Sequence, residues 1–283
     1  ASTRRVRRPL GGFKGLLKHR GFAALLAGQF LGAFNDNAFR AIVSLKALSS
    51  ASSSRQILIA AAGAIFVLPY LLFSNWAGWA ADRFGKRGVI IAAKAAEIGV
   101  MVLGLAAILS GHVPSLLAVL FLLGTQSAMF SPAKLGIIPE LFPEEDLSRA
   151  NGLMELVTFL AIIAGTVGGG LLYATFGGGS AIPPLALIAL AVAGALLSLG
   201  VTKVAPSGAP RPFRINFIAE VISDFRAIAA RRALLLTVLG VAWFWFLGMA
   251  FQLNVLVYAR ELMGLSDRGV TLLNASVSIG IGL

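Results

Sequence analysis

The chain of 283 residues contains no cysteine and only two histidines, His19 and His112. Disulfides, thiolate metal ligands and thiol nucleophiles are thereby excluded. Charge is scarce too, since 13% of the residues are Asp, Glu, Lys or Arg, against about 25% in an average soluble protein. Acidic residues are the rarer kind, 12 against 24 Lys and Arg, which leaves a formal charge of +12. No Gly-Lys-Ser/Thr phosphate loop occurs, so nothing in these residues supports an ATP-driven machine. The first apolar stretch lacks a convincing small-residue cleavage site and is followed by several more of spanning length. It reads as a first spanning helix rather than a signal peptide.

What is present in abundance is apolar surface: 58% of the residues are hydrophobic and the mean hydropathy is +0.86. That composition defines an integral membrane protein, and all-α is the expected class. A span needs about 20 apolar residues, and the chain supplies seven such runs, near 21–47, 56–81, 88–110, 114–139, 147–176, 182–202 and 233–258, with an eighth beginning near Gly269. The excess of basic residues would suggest nucleic acid in a soluble domain. Here Lys and Arg sit between the apolar runs, where they set topology and meet anionic headgroups. Seven lie before Gly21, three in the second-to-third turn, six in 203–232 and one, Arg149, in the fourth-to-fifth turn; the opposite loops hold Lys46, Arg55, Arg260 and Arg268. Seventeen against four places the N-terminus in the cytoplasm.

The connections divide the chain into a basic N-terminus (1–20), a six-helix bundle (21–202), a polar linker (203–232) and the start of a second bundle (233–283). Phe217, Val221, Ile222, Phe225 and Ile228 share one helical face, with Arg226, Arg231 and Arg232 on or beside the other, so a short helix lying on the inner leaflet is expected within 213–232. This is the plan of a transporter built from parallel repeats about an axis along the membrane normal. It leaves about four helices beyond Leu283, so the sequence is expected to be a piece of a longer chain.

Two stretches carry polar chemistry inside this apolar frame. Phe34-Asn35-Asp36-Asn37-Ala38-Phe39-Arg40 puts a carboxylate in the middle of the first span, where an ionisable group marks a substrate or ion path. Gly78-x-x-x-Asp82-Arg83-x-Gly85-Lys86-Arg87 closes the second span with a charged turn. Gly78 can let helices approach closely, Asp82 can cap a helix or pair with a cation, and the basic residues can hold that pair or lipid phosphates.

That turn, at that place in the chain, resembles the signature turn of the major facilitator superfamily. The resemblance implies the superfamily fold and a cytoplasmic gate formed by Gly78, Asp82, Arg83, Gly85, Lys86 and Arg87, not a substrate site. A narrower likeness covers most of the chain: Phe34 to Ala38, Phe130-Ser131-Pro132-Ala133-Lys134-x-Gly136-Ile137-x-Pro139-Glu140, Ala150-Asn151-Gly152-Leu153-Met154-Glu155 and Leu273-Asn274-Ala275-Ser276-Val277-Ser278-Ile279-Gly280 resemble the lysophospholipid transporter branch. Members carry lysophospholipids, especially lysophosphatidylethanolamine, from the outer to the inner leaflet of bacterial inner membranes, where an acyltransferase with an acyl-carrier-protein synthetase, fused or separate, restores the second chain. A transporter and no enzyme is therefore expected here. The His-x-x-x-x-Asp pair of a glycerolipid acyltransferase is absent, because Ala24 and Leu117 stand five residues after the two histidines. No cofactor and no metal is called for.

Spacing selects the candidate binding residues. Gln29, Asp36 and Arg40 fall on one helical stripe at i−7, i and i+4, while Asn35 and Asn37 point about 100° to either side. Asp36 can receive a substrate ammonium, or it can form a structural pair with Arg40. For a phosphate the candidate is Lys134, with Gln126 on roughly the same face at i−8; the alternative is a lysine that snorkels to inner headgroups. Lys94 and Glu97, at i,i+3, are expected to neutralise each other. Glu155 opens the fifth span and is expected to pair with a basic gate residue. In the seventh span Gln252 and Asn254 can hydrogen-bond a headgroup, although the family can carry a basic residue where this chain has Gln252. The glycine run Gly165-Thr166-Val167-Gly168-Gly169-Gly170 reads as packing. Two other readings stay open: a proton-coupled small-molecule or drug exporter working through Asp36, and the substrate-delivery membrane half of a bifunctional acyltransferase.

Overall fold

The computed structural model describes residues 12–49, 55–204 and 217–282, apart from some helical side chains. The first half of the basic N-terminus and linker residues 205–216 lie outside the described residues. Among the described residues every regular element is a helix: α1 (Phe13–Lys18), α2 (Arg20–Ser49), α3 (Arg55–Phe84), α4 (Lys86–Ser110), α5 (Val113–Gly136), α6 (Ile138–Leu141), α7 (Glu144–Phe176), α8 (Ile182–Ser198), α9 (Phe217–Ala229), α10 (Arg232–Glu261) and α11 (Asp267–Gly282). The apolar runs become α2, α3, α4, α5, α7, α8 and α10, with α11 as the eighth.

Local chemistry explains where the boundaries differ from the hydropathy reading. The fourth run breaks at Ile137: Pro139 lies in the first turn of α6 and has no N–H to donate to the Leu135 carbonyl four residues back, so the helix cannot run through it unbroken. The fifth helix starts earlier than expected, at Glu144, behind an extended Pro143 and with Glu144, Glu145 and Asp146 in its first turn, where carboxylates meet the positive end of the helix dipole. The sixth stops at Ser198, short of the expected 202.

Five helical segments are long and apolar enough to cross a membrane by length and composition alone, those of α3, α4, α5 continued into α6, α7 and α10. At 17 residues α8 is shorter but apolar. The 30-residue α2 is long enough; its Gln29, Asn35, Asp36, Asn37 and Arg40 lower its hydropathy, and the first four of these side chains are buried. Leu71, Val102, Leu103, Leu109, Leu156, Leu160 and Leu196 are exposed on the outside, as apolar side chains facing lipid tails are.

The chain forms two compact units, residues 1–211 and 212–283. In the first, α2 packs on α7 and α8, α3 on α5, and α4 on α5 and α8. The α2–α7 contact is made by glycine: a Cβ at Gly165 would run into Phe34 and one at Gly169 into Ala38, both on their backbone atoms. The small-residue run therefore lets two backbones touch on either side of Asn35, Asp36 and Asn37. At the end of the bundle that carries the charged turn, Leu16, Phe22, Leu25, Ile90, Ile137, Ile138, Leu141 and Phe142 form a buried apolar plug. Within a lipid bilayer such a plug is held by close van der Waals packing rather than by removal of its side chains from water.

In the second unit α10 packs on α9 and α11. The α10–α11 turn passes through Gly264 at φ 62° and is fastened by Arg260, which bonds the Leu265 carbonyl at 2.9 Å and pairs with Asp267 at 3.2 Å. The amphipathic stretch forms α9, with Ile222, Phe225 and Arg226 exposed.

Candidate functional site

Three consecutive polar residues on one helix point in three directions, and α2 uses each differently. Asn35, fully buried, donates from Nδ2 to Glu97 Oε1 of α4 at 3.1 Å and to the Leu187 carbonyl of α8 at 3.0 Å. Asp36 faces α5, where Ser127 Oγ donates to its Oδ2 at 2.5 Å. Asn37 donates to the Ala33 carbonyl of its own helix at 2.7 Å and accepts from Arg40 at 2.6 Å.

Arg40 therefore does not pair with Asp36, as the i,i+4 spacing had allowed. The Asn37 amide takes the guanidinium, which also lies over the Phe66 ring of α3, 5.6 Å from its centroid. Gln29, on the same stripe, is committed to α7, donating to Thr158 Oγ1 at 2.8 Å. Asp36 remains as the carboxylate of the stripe. It is 8% exposed, and its Oδ1 has no hydrogen-bond partner among the described residues. A buried carboxylate oxygen without a donor is costly, and a bound cationic group would satisfy it.

On α5, Gln126 is buried and its Oε1 lies 3.1 Å from Ser127 Oγ. Lys134 follows Ser127 by seven residues, about two turns or 10 Å along the helix. It is half-buried, and its Nζ is 5.8 Å from the centroid of the Phe130 ring. The same ring receives the Lys94 ammonium of α4 at 5.1 Å. Lys94 and Glu97 do pair as their spacing predicts, at 2.7 Å with side chains 2% and 1% exposed. The bundle thus holds a neutralised ion pair, a carboxylate with one open oxygen on α2 and an ammonium on α5. Among the described residues no group of three or more His, Asp or Glu could hold a metal.

The charged turn forms a second cluster. Gly85 has φ 79° and precedes α4, a backbone conformation that costs an L-residue with a side chain. Lys86, 8% exposed, forms a short ion pair with Glu140 of α6 and lies 4.0 Å from Asp82. Arg87 donates from Nε to the Val201 carbonyl at 2.7 Å and from Nη2 to the Leu199 carbonyl at 2.8 Å, closing the end of α8. Arg83 is exposed. Two gate candidates, Gly78 and Glu155, make no such contact among the described residues. A Cβ at Gly78 would meet nothing within 4 Å, so close helix approach is made at Gly165 and Gly169 instead. Glu155 is exposed on α7 and forms no ion pair among the described residues; the carboxylate that holds the basic turn is Glu140.

In the second unit the Gln252 side chain lies outside the described residues. Asn254 is exposed and donates to the Ala250 carbonyl of its own helix at 2.8 Å.

Sequence reasoning missed Ser127, Thr158 and Glu140 as partners. Ser127 adjoins Gln126, and Glu140 lies inside the motif running from Phe130, so position alone could have flagged both. Thr158 carried no local signal.

The fold and these two clusters define a multi-pass helical membrane protein of the facilitator type. The sequence profile of the Major Facilitator Superfamily matches residues 25–283, and the chain belongs to that family. Among its relatives, the "Lysophospholipid transporter LplT" of Citrobacter koseri is 34% identical over 271 residues, covering 93% of this chain and 64% of the relative. The protein of the same name from Escherichia coli is 33% identical over 267 residues with the same coverage. The chain thus spans slightly less than two thirds of these relatives' length. Among solved structures, a D-xylose-proton symporter matches with a TM-score of 0.58 at 15% identity, covering 93% of this chain and 66% of that one. A POT family transporter in complex with 5-aminolevulinic acid matches at 0.55 and 18%, covering 89% and 55%. Those two likenesses concern the fold.

Proposed function

We propose that this chain is the larger part of a lysophospholipid transporter that moves lysophosphatidylethanolamine-like lipids from the outer to the inner leaflet of a bacterial inner membrane by alternating access. One observation carries the reading: a buried Asp36 carboxylate, fixed by Ser127 through one oxygen and open at the other, lies on a helix packed beside the one that bears Lys134. A phosphoethanolamine headgroup has complementary charges, an ammonium for Asp36 and a phosphate for Lys134. The names and identity of the relatives support the substrate class.

In this reading Gln126, Arg40 and Asn37 border the headgroup, and the single acyl chain stays in an apolar side opening. Gln29 acts through Thr158 as a support. Asp82, Lys86, Arg87 and Glu140 gate the cytoplasmic side, with Gly85 shaping the turn and Arg83 at its surface. The basic-residue bias supports an N-terminus on the cytoplasmic side. The transporter carries out no chemistry; an acyltransferase with an acyl-carrier-protein synthetase, fused or separate, re-acylates the delivered lipid.

The test is uptake of labelled lysophosphatidylethanolamine into the inner leaflet of liposomes by the full-length protein, wild type against Asp36→Asn. Translocation that needs Asp36 supports the proposal; a wild type that moves no lysolipid refutes it. The open Asp36 oxygen also fits a proton carrier, the basis of a second reading as a proton-coupled exporter. Transport of small organic cations that follows an imposed pH gradient would favour that reading.

A further inference from the structure

We infer that the buried Lys94–Glu97 ion pair is a positioning element for the headgroup site, setting Asp36 and Lys134 relative to each other through Asn35 and Phe130. The inference rests on the proposed headgroup roles of those two residues. Both members of the pair are buried, with 2% and 1% exposure, and their polar contacts are made to protein groups. Its surroundings are specific. Glu97 gives one oxygen to Lys94 and the other to Asn35 Nδ2, the residue next to Asp36. Asn35 is also bonded to Leu187 of α8, so the α2 backbone at the Asp36 position is tied to two helices through one amide. On its other side Lys94 lies over Phe130, and the opposite charge-bearing candidate, Lys134, approaches the same ring.

The helix packing makes room for this arrangement. Gly32 of α2 stands where a Cβ would collide with Lys94 Nζ. Gly194 of α8 would meet the Lys94 chain at 3.9 Å if it carried a Cβ. Space has thus been left on α2 for this lysine, while on α8 a Cβ at Gly194 would make only ordinary contact with it. An ion pair this deep is a weak source of stability, because desolvation offsets its attraction. Setting the geometry of a polar network is a role for which apolar packing is no substitute.

The variant that separates positioning from mere packing is Lys94→Met with Glu97→Met, which removes both charges together and strands neither. Two readouts are taken on full-length protein in liposomes. The first is the concentration dependence of lysophosphatidylethanolamine transport. The expected result is folded protein in wild-type amount with KM raised about tenfold, the equivalent of about 1.4 kcal/mol of lost binding, and kcat changed far less. The second readout needs no substrate: residues 1–283 lack cysteine, so Asp36→Cys in a full-length background freed of any other cysteine offers a single thiol whose methanethiosulfonate labelling rate reports the environment of position 36. That rate is expected to change several-fold when the pair is removed.

A folded double variant with wild-type KM and an unchanged labelling rate would overturn the inference. If the wild type moves no lysolipid, the transport proposal fails by itself, and the labelling rate alone then decides whether the pair positions α2. Should the double variant not fold, Asn35→Ala cuts the link while leaving the pair intact. It is judged by the same two changes.

Discussion

Ser127 Oγ and Asp36 Oδ2 lie 2.5 Å apart, and this bond joins α5 to α2 through one carboxylate oxygen while the other, Oδ1, has no hydrogen-bond partner among the described residues. A hydroxyl bonded to an ionised acceptor contributes about 1.5–3 kcal/mol. Ser127→Ala is therefore expected to keep the protein folded and to weaken lysolipid transport about tenfold. Asp36→Asn, which removes the charge itself, is expected to reduce it further. Liposome uptake, normalised to folded protein by size-exclusion chromatography, checks both.

Removing one partner of a fully buried ion pair differs from removing both. Lys94→Met alone leaves Glu97 charged among helices and is expected to destabilise by about 3–5 kcal/mol, whereas the double replacement is expected to be close to neutral. Thermal unfolding in one detergent gives the comparison. Equal losses for the single and double variants would contradict it.

The α2–α7 contact tolerates no added carbon. A Cβ at Gly169 would lie 2.5 Å from Ala38 Cα and one at Gly165 would lie 2.9 Å from Phe34 Cα. Gly169→Ala is expected to cost about 1–3 kcal/mol through overpacking and to displace the segment that carries Asp36. Gly78→Ala, in open space, is expected to leave stability within about 0.5 kcal/mol. A reversed order in thermal melts would refute the assignment of the packing glycines.

Lys86 and Glu140 are separated by 54 residues yet paired within the charged-turn cluster. A double-mutant cycle with Lys86→Ala and Glu140→Ala is expected to show a coupling of about 0.5–3 kcal/mol. The equivalent cycle with Lys86→Ala and Glu155→Ala is expected to show none. Chemical denaturation of the solubilised protein measures both.

Most of the helices were legible because hydropathy and Lys or Arg at their ends are local signals. Boundaries moved where a single residue intervened, as Pro139 does after Ile137 and the acidic triplet does at the start of α7. The Lys94–Glu97 pair was legible for the same reason, as two residues one turn apart on one helix. What spacing along a helix does not contain is the identity of the partner on the next one. Ser127, Thr158 and Glu140 meet Asp36, Gln29 and Lys86 across sequence separations of 91, 129 and 54 residues. Arg40 illustrates the converse: a favourable i,i+4 spacing to Asp36 was available, and the closer Asn37 amide took the guanidinium.

The hold of Arg87 on the end of α8 is made at two points, Nε on one carbonyl and Nη2 on another two residues away. A single contact fixes a distance and leaves a swivel; two contacts from one rigid plane also resist torque. The start of α4 and the end of α8 are therefore held against twisting as well as against separation. Lysine in that place would keep the charge and restore the swivel.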